Sequence, residues 1–384
     1  MKKFLAVSLA AFFAIALAGC GSSSSDSGGY SPIIPTPVPT PDPTPQPEVD
    51  TSEKIIFSGN IGAITDVCID STGTRFFFPL NNGVIKCYDR ITGETKDIKT
   101  SATNIFSVCY ADGRIYFTER ATRNVCFINE DGTGETTVNT PDSANRIDIP
   151  GYIRYGGGYV VGTDFGYSTS GAVYCIDPAS APSEYVKYNV SGMSKPLDIT
   201  FRDGVWATAN YNATDSYAFY ASYPASSAWV AIGVTGKYIM SPAIDMPDGG
   251  TPSVAYSAMD NTGTSIRKMD LVEGTDSSLV TDGSIPHVYK IVRSEVGNKY
   301  YFTSMGNANR AGVYMMDIDG KNVERISEST MYYPAMLVVN DKRTDLPDGY
   351  EEIVWTTTGS DIDKGNASFD GGNGHVYSKI IKVR

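Results

Sequence analysis

Residues 114–119 read RIYFTE, a β-type run in which an aromatic residue precedes a small polar residue. Six other stretches share this pattern: Phe77-Phe78-Pro79, Val161-Gly162-Thr163, Trp206-Ala207-Thr208, Ala255-Tyr256-Ser257, Tyr301-Phe302-Thr303 and Val354-Trp355-Thr356. The seven copies end at positions 79, 118, 163, 208, 257, 303 and 356, so their spacing is 39 to 53 residues. A repeat of about 40 to 50 residues with four strand-length segments is typical of a β-propeller. The sequence therefore predicts an all-β, seven-bladed β-propeller.

Turn signals support this repeat. Most copies follow residues that accept a positive φ: Thr72-Gly73, Asp112-Gly113, Gly156-Gly157-Gly158, Asp203-Gly204, Gly249-Gly250, Gly297-Asn298 and Asp348-Gly349. Proline recurs just ahead of the predicted innermost strands at Pro196, Pro242, Pro286 and Pro334, where a sheet tolerates the missing N–H. Six or eight blades also fit, because the fourth unit is irregular.

The last repeat has only three predicted strands before the sequence ends at Arg384. The segment Lys54–Phe57, at the start of the domain, can supply the missing outer strand. We therefore expect the ring to be closed by pairing of its N- and C-terminal strands, which leaves no unpaired ring end. The predicted propeller spans residues 53–384.

The chain begins with a targeting signal. Lys2 and Lys3 precede an apolar run over residues 4–18, which is short for a permanent membrane helix. The run ends Leu17-Ala18-Gly19-Cys20, which resembles the lipobox of bacterial lipoproteins. The resemblance implies removal of residues 1–19 as a signal peptide and lipidation (palmitate) of Cys20; the alternative is an ordinary secretory signal. Since Gly21 rather than Asp follows Cys20, it also implies an outer-membrane lipoprotein, facing either the periplasm or the cell surface.

Residues 20–52 carry Ser and Gly and then alternating prolines between Pro32 and Pro47. Such a composition cannot bury enough apolar surface to offset its ordering entropy, and alternating prolines favour an extended polyproline II spacer. We interpret the segment as a disordered Pro-rich tether. A Pro-rich recognition ligand is the rival interpretation.

Charge and cysteine content narrow the function. The formal net charge is −12, so a nucleic-acid partner is disfavoured and membrane contact is expected through the lipid anchor only. Neither C-x-x-C nor C-x-x-C-H occurs, which argues against a zinc ribbon or c-type haem. Five cysteines follow Cys20, and we expect mostly buried thiols that act as small hydrophobes: Cys68, Cys87, Cys109, Cys126 and Cys175.

Two repeats resemble those of YWTD and TolB-like propellers. One is residues 114–119 followed by Asn129-Glu130-Asp131-Gly132, and the other is Tyr300-Tyr301-Phe302-Thr303 followed by Asp317-Ile318-Asp319-Gly320. Aspartate is absent after the threonine in both, and those families usually have six blades. The resemblance implies a propeller architecture and carries no activity with it.

Recognition is the predicted function, since the loops joining second to third strands and one blade to the next line one face of a propeller. Tyr, Arg and Asn on such loops suit contact with an envelope protein or glycan. The candidate contact residues are Arg120, Arg123, Asp164, Tyr167, Asn210, Tyr211, Asp260, Asn307, Arg310, Tyr332 and Tyr333. The chain is thus predicted to be a membrane-anchored envelope lipoprotein whose propeller is a protein- or glycan-binding scaffold.

The alternative is a metal-dependent propeller enzyme of the lactonase or lyase type. His287 and His375 lie in no catalytic motif, and no catalytic residue is assigned. Four carboxylates lie near predicted innermost strands, where local hydrogen bonding is the favoured interpretation: Asp66, Asp148, Asp198 and Asp245. Asp361, Asp363 and Asp370 lie in a Gly-rich loop over residues 359–374 and form a weak candidate Ca²⁺ site, because no glutamate completes the ligand set. A solvated loop is the default, and no other cofactor is expected.

Overall fold

The computed structural model describes residues 48–383 apart from 60–62, 101–103, 139–145, 167–170, 180–183, 191, 211–214, 223–229, 236–237, 248–249, 261–262, 281–284, 286, 306–309, 330–333 and 359–373. Cys20 and the Pro-rich segment therefore lie outside the described residues. Val49–Arg384 forms one compact unit. Within the described ranges the named elements are all β-strands, and none of these residues belongs to a helix that could cross a membrane.

The strands pair into seven four-stranded antiparallel sheets. Sheet 1 holds β2 (Cys68–Ile69), β3 (Arg75–Pro79), β4 (Val84–Asp89) and β5 (Thr95–Thr100). Sheet 2 holds β6 (Ile105–Ala111), β7 (Arg114–Glu119), β8 (Asn124–Asn129) and β9 (Thr136–Thr137). Sheet 3 holds β10 (Pro150–Gly156), β11 (Tyr159–Asp164), β12 (Ala172–Ile176) and β13 (Val186–Asn189). Sheet 4 holds β14 (Pro196–Arg202), β15 (Val205–Asn210), β16 (Asp215–Ser222) and β17 (Val230–Thr235); sheet 5 holds β18 (Tyr238–Asp245), β19 (Ser253–Asp260), β20 (Gly263–Asp270) and β21 (Asp276–Val280). Sheet 6 holds β22 (Val288–Arg293), β23 (Lys299–Ser304), β24 (Gly312–Asp317) and β25 (Glu324–Arg325); sheet 7 holds β26 (Pro334–Asn340), β27 (Tyr350–Thr357), β28 (Gly374–Lys382) and β1 (Lys54–Gly59).

The sheets are arranged as a β-propeller, as the repeat predicts. Each sheet packs its first strand against the next sheet along the chain. Sheet 7 contacts sheet 1, since Asn340 Nδ2 donates to the Gly73 carbonyl at 2.9 Å and Arg90 pairs with Asp345 at 3.2 Å. The first strands therefore line the centre of a closed ring.

The aromatic residues of the repeat form the core between the sheets. Tyr116, Trp206, Tyr301 and Trp355 all have a relative exposure of 0%. They lie on the second strands of their sheets, which are covered on both faces by neighbouring sheets. Each such ring removes about 150–250 Å² from water, and this burial explains why the repeat needs a large apolar side chain here.

At three copies the small polar residue of the repeat joins neighbouring sheets, whereas Thr208 Oγ1 donates to the Asp198 carbonyl of its own sheet at 2.8 Å. Thr118 Oγ1 donates to the Gly151 carbonyl of sheet 3 at 3.1 Å. Thr163 and Thr303 make the same bond to Leu197 and Ala335, at 3.0 and 2.9 Å. Each acceptor is the second residue of the next innermost strand.

Sheet 1 makes this bond with a different residue. Its copy of the repeat ends in Pro79, which has no hydroxyl. Thr65 Oγ1 donates instead to the Phe106 carbonyl at 2.6 Å, and Phe106 is the second residue of β6. The inter-sheet bond is therefore retained where the sequence pattern is broken.

The predicted turns have the expected backbone. Gly73, Asp112, Gly113, Asp203 and Gly204 have φ of 72°, 48°, 80°, 47° and 82°, the left-handed region that tight hairpins require. Pro196 and Pro334 begin their innermost strands. Pro242 instead lies inside β18, beside a register shift between Ile239 and Pro242, because a bulge also tolerates a residue without an N–H. Pro286 lies outside the described residues.

The terminal strands pair as predicted. β1 lies antiparallel to β28, with Lys54 opposite Ser378 and Gly59 opposite Gly374. The Glu53 carboxylate accepts the Glu328 and Ser329 amides at 2.7 and 3.1 Å, which ties the incoming chain to sheet 6. Some other outer strands are short: β9 is Thr136–Thr137 and β25 is Glu324–Arg325. An outer strand pairs on one side only, so fewer hydrogen bonds define its length.

The cysteine prediction is confirmed. All five cysteines between Cys68 and Cys175 are free, and four are buried while Cys68 is partly buried. Burial raises the pKa of Cys87 to about 11 and the pKa of Cys126 and Cys175 to about 12. The thiols therefore stay protonated near neutral pH and act as small apolar side chains.

Replacement of Thr118 tests the inter-sheet bond. Thr118→Val keeps the shape but removes the hydroxyl that also accepts the Ser107 amide at 3.2 Å, so two buried backbone groups lose partners. We expect the free energy of unfolding to fall by about 2–4 kcal/mol, as measured by urea denaturation. The exposed Thr275→Val is the control, and equal losses for both variants would contradict this role.

A pair of deletions tests ring closure. Deleting residues 53–58 removes β1, exposes the edge of β28 and uncovers the apolar side chains beneath it, so the melting temperature should fall and self-association should rise. Deleting residues 22–47 removes predicted tether and should leave the melting temperature unchanged. Calorimetry measures the melting temperature of both variants, and light scattering measures their self-association. Two monomeric variants with the same melting temperature would refute ring closure by pairing of β1 with β28.

Candidate functional site

Three innermost strands and the segment before β2 bring four charged side chains together in the centre of the ring. They are Asp66, Arg154, Asp198 and Lys290, which we call the central charge cluster. Arg154 Nη1 lies 2.7 Å from Asp66 Oδ2 and its Nη2 lies 3.2 Å from Asp198 Oδ1. Lys290 Nζ donates to Asp198 Oδ2. The two acids and two bases therefore neutralise each other.

Polar neighbours complete the hydrogen bonding of both carboxylates. Asp66 accepts the Val67 amide at 2.9 Å, the Val108 amide at 3.2 Å and the Ser107 hydroxyl. Ser241 Oγ donates to Asp198 at 3.2 Å. Since these partners come from several sheets, the cluster fixes the sheets relative to one another.

Burial and pairing act in opposite directions on these groups. Burial raises the pKa of Asp66, although Arg154 opposes the rise. Burial alone would raise the pKa of Asp198, but Lys290 and Arg154 lower it below its usual value. Burial lowers the pKa of Lys290, against the attraction of Asp198. Removal of Arg154 would leave Asp66 buried without its cation, and removal of Asp198 would leave Lys290 buried without its anion.

Three of the four carboxylates near the innermost strands are already paired with cations: Asp66, Asp198 and Asp245. Besides the central cluster, Asp245 contacts Lys268 at 2.7 Å and Arg293 at 3.0 Å. Asp148 lies in the segment before β10, where its amide donates to Asp164. Among the described residues no group of three or more His, Cys, Asp or Glu side chains could hold a metal ion; Asp361, Asp363 and Asp370 lie outside them.

Aromatic and aliphatic side chains close the channel beside the charges. The hydroxyls of Tyr152 and Tyr289 lie 2.8 Å apart, and the Phe106 ring packs on Tyr152 with centroids 4.8 Å apart. A cavity of about 10 Å³ remains here, lined by Tyr152, Tyr289, Leu197, Met240 and Met336 together with Asp198 and Lys290 of the cluster. Little free space therefore remains beside the charges. We call the face formed by the loops between sheets and between second and third strands the loop face.

Arg120 lies on the loop face, immediately after β7. Its guanidinium carbon is 3.3 Å from the centroid of the Phe106 ring and 5.4 Å from that of Phe165, and its Nε donates to the Pro150 carbonyl at 3.4 Å. Burial lowers the pKa of this guanidinium, but arginine keeps its charge in proteins. Across the described ranges no carboxylate lies within ion-pair distance of Arg120.

Two other predicted contact residues have structural partners. Asp164 is fully buried and accepts the Ile149 amide at 2.9 Å while it pairs with Lys187 at 2.8 Å. Asn210 Oδ1 accepts the Ser194 and Lys195 amides at 3.0 and 2.9 Å. Both end second strands, and both hold the backbone that leads into their own innermost strand. These side chains are not available on the surface.

The remaining predicted contacts are placed as follows. Arg123 directly precedes β8 and has a φ of 62°. Arg310 lies just before β24, and its backbone carbonyl accepts a hydrogen bond from the Tyr314 hydroxyl at 2.7 Å. Asp260 ends β19. Five candidates lie outside the described residues: Tyr167, Tyr211, Asn307, Tyr332 and Tyr333.

Sequence reasoning missed the two cations of the central cluster. Arg154 and Lys290 interrupt the apolar innermost strands YIRY and YKIV. A charge in the middle of a buried strand is the signal that would have identified them, since such a charge needs a partner.

The opposite face, formed by the turns between first and second strands and between third and fourth strands, carries a cleft of about 370 Å³. Val67, Cys109 and Val338 line it, Arg154 forms part of its wall and Lys342 lies at its edge. The Arg154 side chain is 19% exposed and is engaged with both aspartates. The cleft therefore offers an apolar surface without a free charge from the cluster.

Comparisons with known proteins support the architecture. No family model matches the chain, and no curated protein matches it significantly. Among solved structures the chain is similar to hydrazine synthase of Kuenenia stuttgartiensis, with a TM-score of 0.56 and 12% sequence identity over 68% of this chain and 79% of that chain. At this identity the likeness concerns the propeller fold alone.

A charge-removing variant tests the central cluster. Arg154→Met leaves Asp66 without its cation, so the free energy of unfolding at pH 7 should fall by about 3–5 kcal/mol. The loss should shrink at lower pH, because a carboxylate whose folded pKa is raised is penalised above that pKa and relieved by protonation below it. Denaturation at several pH values measures both effects.

Lys321→Met is the matched control for this variant. Lys321 pairs with Asp319 at 2.7 Å on the surface, with side chains 76% and 51% exposed, and such exposed pairs contribute little to stability. An Arg154→Met protein as stable as this control would contradict the proposed role of the cluster.

Proposed function

We propose that this chain is a lipid-anchored protein of the bacterial outer membrane whose seven-bladed propeller, one blade for each sheet, binds an envelope partner on its loop face. The anchor is Cys20, within the lipobox-like Leu17-Ala18-Gly19-Cys20. The Pro-rich segment that follows is the tether. This proposal extends the propeller architecture with a location and an activity.

The place where the chain enters the ring suits a tethered scaffold. β1 is the outer strand of sheet 7, and Glu53 contacts Ser329 of the neighbouring sheet. An entry at the outer rim leaves the axial region of both faces uncovered by the described chain. A partner can therefore reach the loop face without displacing β1.

Arg120 is the observation that carries the binding proposal. A cation stacked on two rings, without a carboxylate partner in the described part of the chain, presents unused N–H donors to the surface. Stacking on Phe106 and Phe165 fixes its geometry, so little side-chain entropy is lost when a ligand binds. Arginine beside aromatic rings is enriched at recognition sites.

The centre of the ring favours binding over metal-dependent catalysis. Asp66 and Asp198 are neutralised by Arg154 and Lys290, so they offer no free ligand set. The cluster is better suited to holding the sheets rigid. A rigid disc presents a surface at low entropic cost to its partner.

Cell fractionation and crosslinking test the proposal. Cys20→Ser should move the protein from membranes to a soluble fraction, because the lipid is its only proposed anchor. In intact envelopes, a photocrosslinker at position 121, an exposed alanine of the same loop, should give discrete adducts with the otherwise wild-type chain and fewer with Arg120→Gln.

Arg114→Gln is the matched control in the crosslinking experiment. Arg114 begins β7 at the opposite face and also stacks on a ring, at 5.1 Å from the Phe127 centroid. Its removal should leave the adducts unchanged. Membrane retention of Cys20→Ser would refute the anchor, and an absence of adducts with the wild-type chain would refute binding on the loop face.

A further inference from the structure

The innermost strands carry different side chains towards their two ends. Each strand runs from the loop face to a turn on the opposite face, so on β10 Tyr152 lies nearer the loop face than Arg154 does. On β26, Met336 lies nearer the loop face than Val338 does. The earlier residue of each pair lines the cavity of about 10 Å³, and the later residue lines the cleft of about 370 Å³. Along these two strands, the free space is therefore larger on the side away from the loop face.

The cleft has the size and the lining of a small-ligand site. Its volume lies within the range of about 300–1,000 Å³ that is typical of such sites. The share of liquid volume that one water molecule takes is about 30 Å³, so the space corresponds to roughly a dozen non-hydrogen atoms. Innermost strands and the segment before β2 supply its apolar walls: Val67, Ile69, Val108, Val338 and Val339. An apolar ligand would remove these walls from water, which is favourable.

Two tyrosine rings of the lining are held in place by the fold. Tyr110 stacks on Phe77 with centroids 5.8 Å apart, and its hydroxyl donates to Glu130 at 3.1 Å. The Tyr155 hydroxyl donates to Asp112 at 3.3 Å, while the residue as a whole is 39% exposed. Because both hydroxyls already have acceptors, the rings offer apolar surface in a fixed position. A ligand that packs against them therefore orders little side-chain freedom.

The charges around the cleft favour an uncharged ligand. Arg154 is matched by Asp66 and Asp198. Lys342 at the edge pairs with Asp341 at 3.1 Å. An anionic ligand would therefore find both cations of the lining engaged, and a cationic ligand would approach the Arg154 guanidinium. A charge that enters an apolar site without a partner is costly.

One polar contact can orient an uncharged ligand. Arg154 donates through Nη1 to Asp66 and to the Ile153 carbonyl, and through Nη2 to Asp198. Its Nε has no acceptor within the described part of the chain, and the side chain is 19% exposed. An N–H donor beside apolar walls suits a carbonyl oxygen, which accepts a hydrogen bond without bringing a charge.

We infer that the cleft binds a small, uncharged and largely apolar molecule whose carbonyl oxygen accepts a hydrogen bond from Arg154 Nε while its apolar body packs against the valines and tyrosines. The site lies on the face opposite the loop face and does not depend on the proposed envelope partner. A peptide segment fits less well, because its backbone amides need hydrogen-bond partners that apolar walls do not supply.

Photolabelling with benzophenone tests this inference on the full chain in lipid vesicles. Benzophenone is an uncharged aromatic ketone of suitable size, and on irradiation it attaches to C–H groups within its reach. We expect saturable labelling, mapped by mass spectrometry to lining residues 67–71 and 338–339. The anionic analogue 4-benzoylbenzoate and the cationic analogue 4-(aminomethyl)benzophenone should label these residues at least about tenfold less, because each brings a charge into an apolar cleft.

Three variants locate the site. Ser71→Trp places a large side chain in the lining at an exposed position and should abolish saturable labelling of residues 338–339. Ser277→Trp, at an exposed serine of β21, is the matched control and should be labelled as the wild type is. Tyr155→Ala removes one ring of the lining without filling the cleft and should weaken labelling. Melting curves show that each variant is folded.

Competition tests the hydrogen bond from Arg154. Dicyclohexyl ketone and dicyclohexylmethane are similar in shape, and only the ketone has a hydrogen-bond acceptor. The ketone should suppress benzophenone labelling at a concentration about three- to tenfold lower, the usual effect of one hydrogen bond. Equal competition by the two compounds would refute the contact with Arg154.

Other outcomes would overturn the inference as a whole. Labelling that does not saturate, or that spreads over the surface without preference for the cleft, would show that no site exists there. Unchanged labelling of Ser71→Trp would place the site elsewhere. Equal labelling by the anionic analogue, or stronger labelling by the cationic one, would refute an uncharged ligand. The crosslinks at the loop face are measured separately, so the proposed function can stand or fail independently.

Discussion

The threonine hydroxyl that bridges adjacent sheets is the interaction on which the ring depends. Within each sheet, backbone hydrogen bonds hold the strands together, but apolar packing between sheets has no direction. The bonds from Thr118, Thr163 and Thr303 to the next innermost strand give that packing a register. The aromatic residue near each threonine buries apolar surface between the sheets. The threonine hydroxyl fixes the position of the next sheet. At these three copies the repeated pair is therefore the sequence signature of a contact between sheets.

The central charge cluster applies a second constraint at the axis. Innermost strands converge there, and filling the space with apolar side chains alone would permit many arrangements. Arg154 reaches Asp66 of the segment before sheet 1 and Asp198 of sheet 4, and Lys290 of sheet 6 reaches the same Asp198. Partners drawn from around the ring must all be in place before any charge is satisfied. The cluster thus favours one arrangement of the sheets over its alternatives, at a cost in desolvation.

More of the fold than of the candidate site could be predicted from the sequence, and the reason is physical. Strand positions, turns such as Asp112-Gly113 and the clasp of β1 on β28 follow from local patterns and from the count of strands. The central cluster could not be predicted in this way, because Asp66 and Arg154 are 88 residues apart and only ring closure brings them together. Asp164 and Asn210 showed the opposite problem: they lie on the predicted face, yet backbone amides occupy their side chains.

The two faces differ in how much freedom their sequences have. Turns on the face opposite the loop face include the two-residue hairpins Asp112-Gly113, Gly157-Gly158 and Asp203-Gly204, in which every residue has a positive φ. Segments on the loop face cross from one sheet to the next. Beyond the inter-sheet threonine bond, their middle residues take no part in the backbone hydrogen bonding between strands. Arg120 has no carboxylate partner among the described residues, and Phe106 and Phe165 support its planar group. Recognition chemistry can therefore change on this face without disturbing the bonds that close the ring.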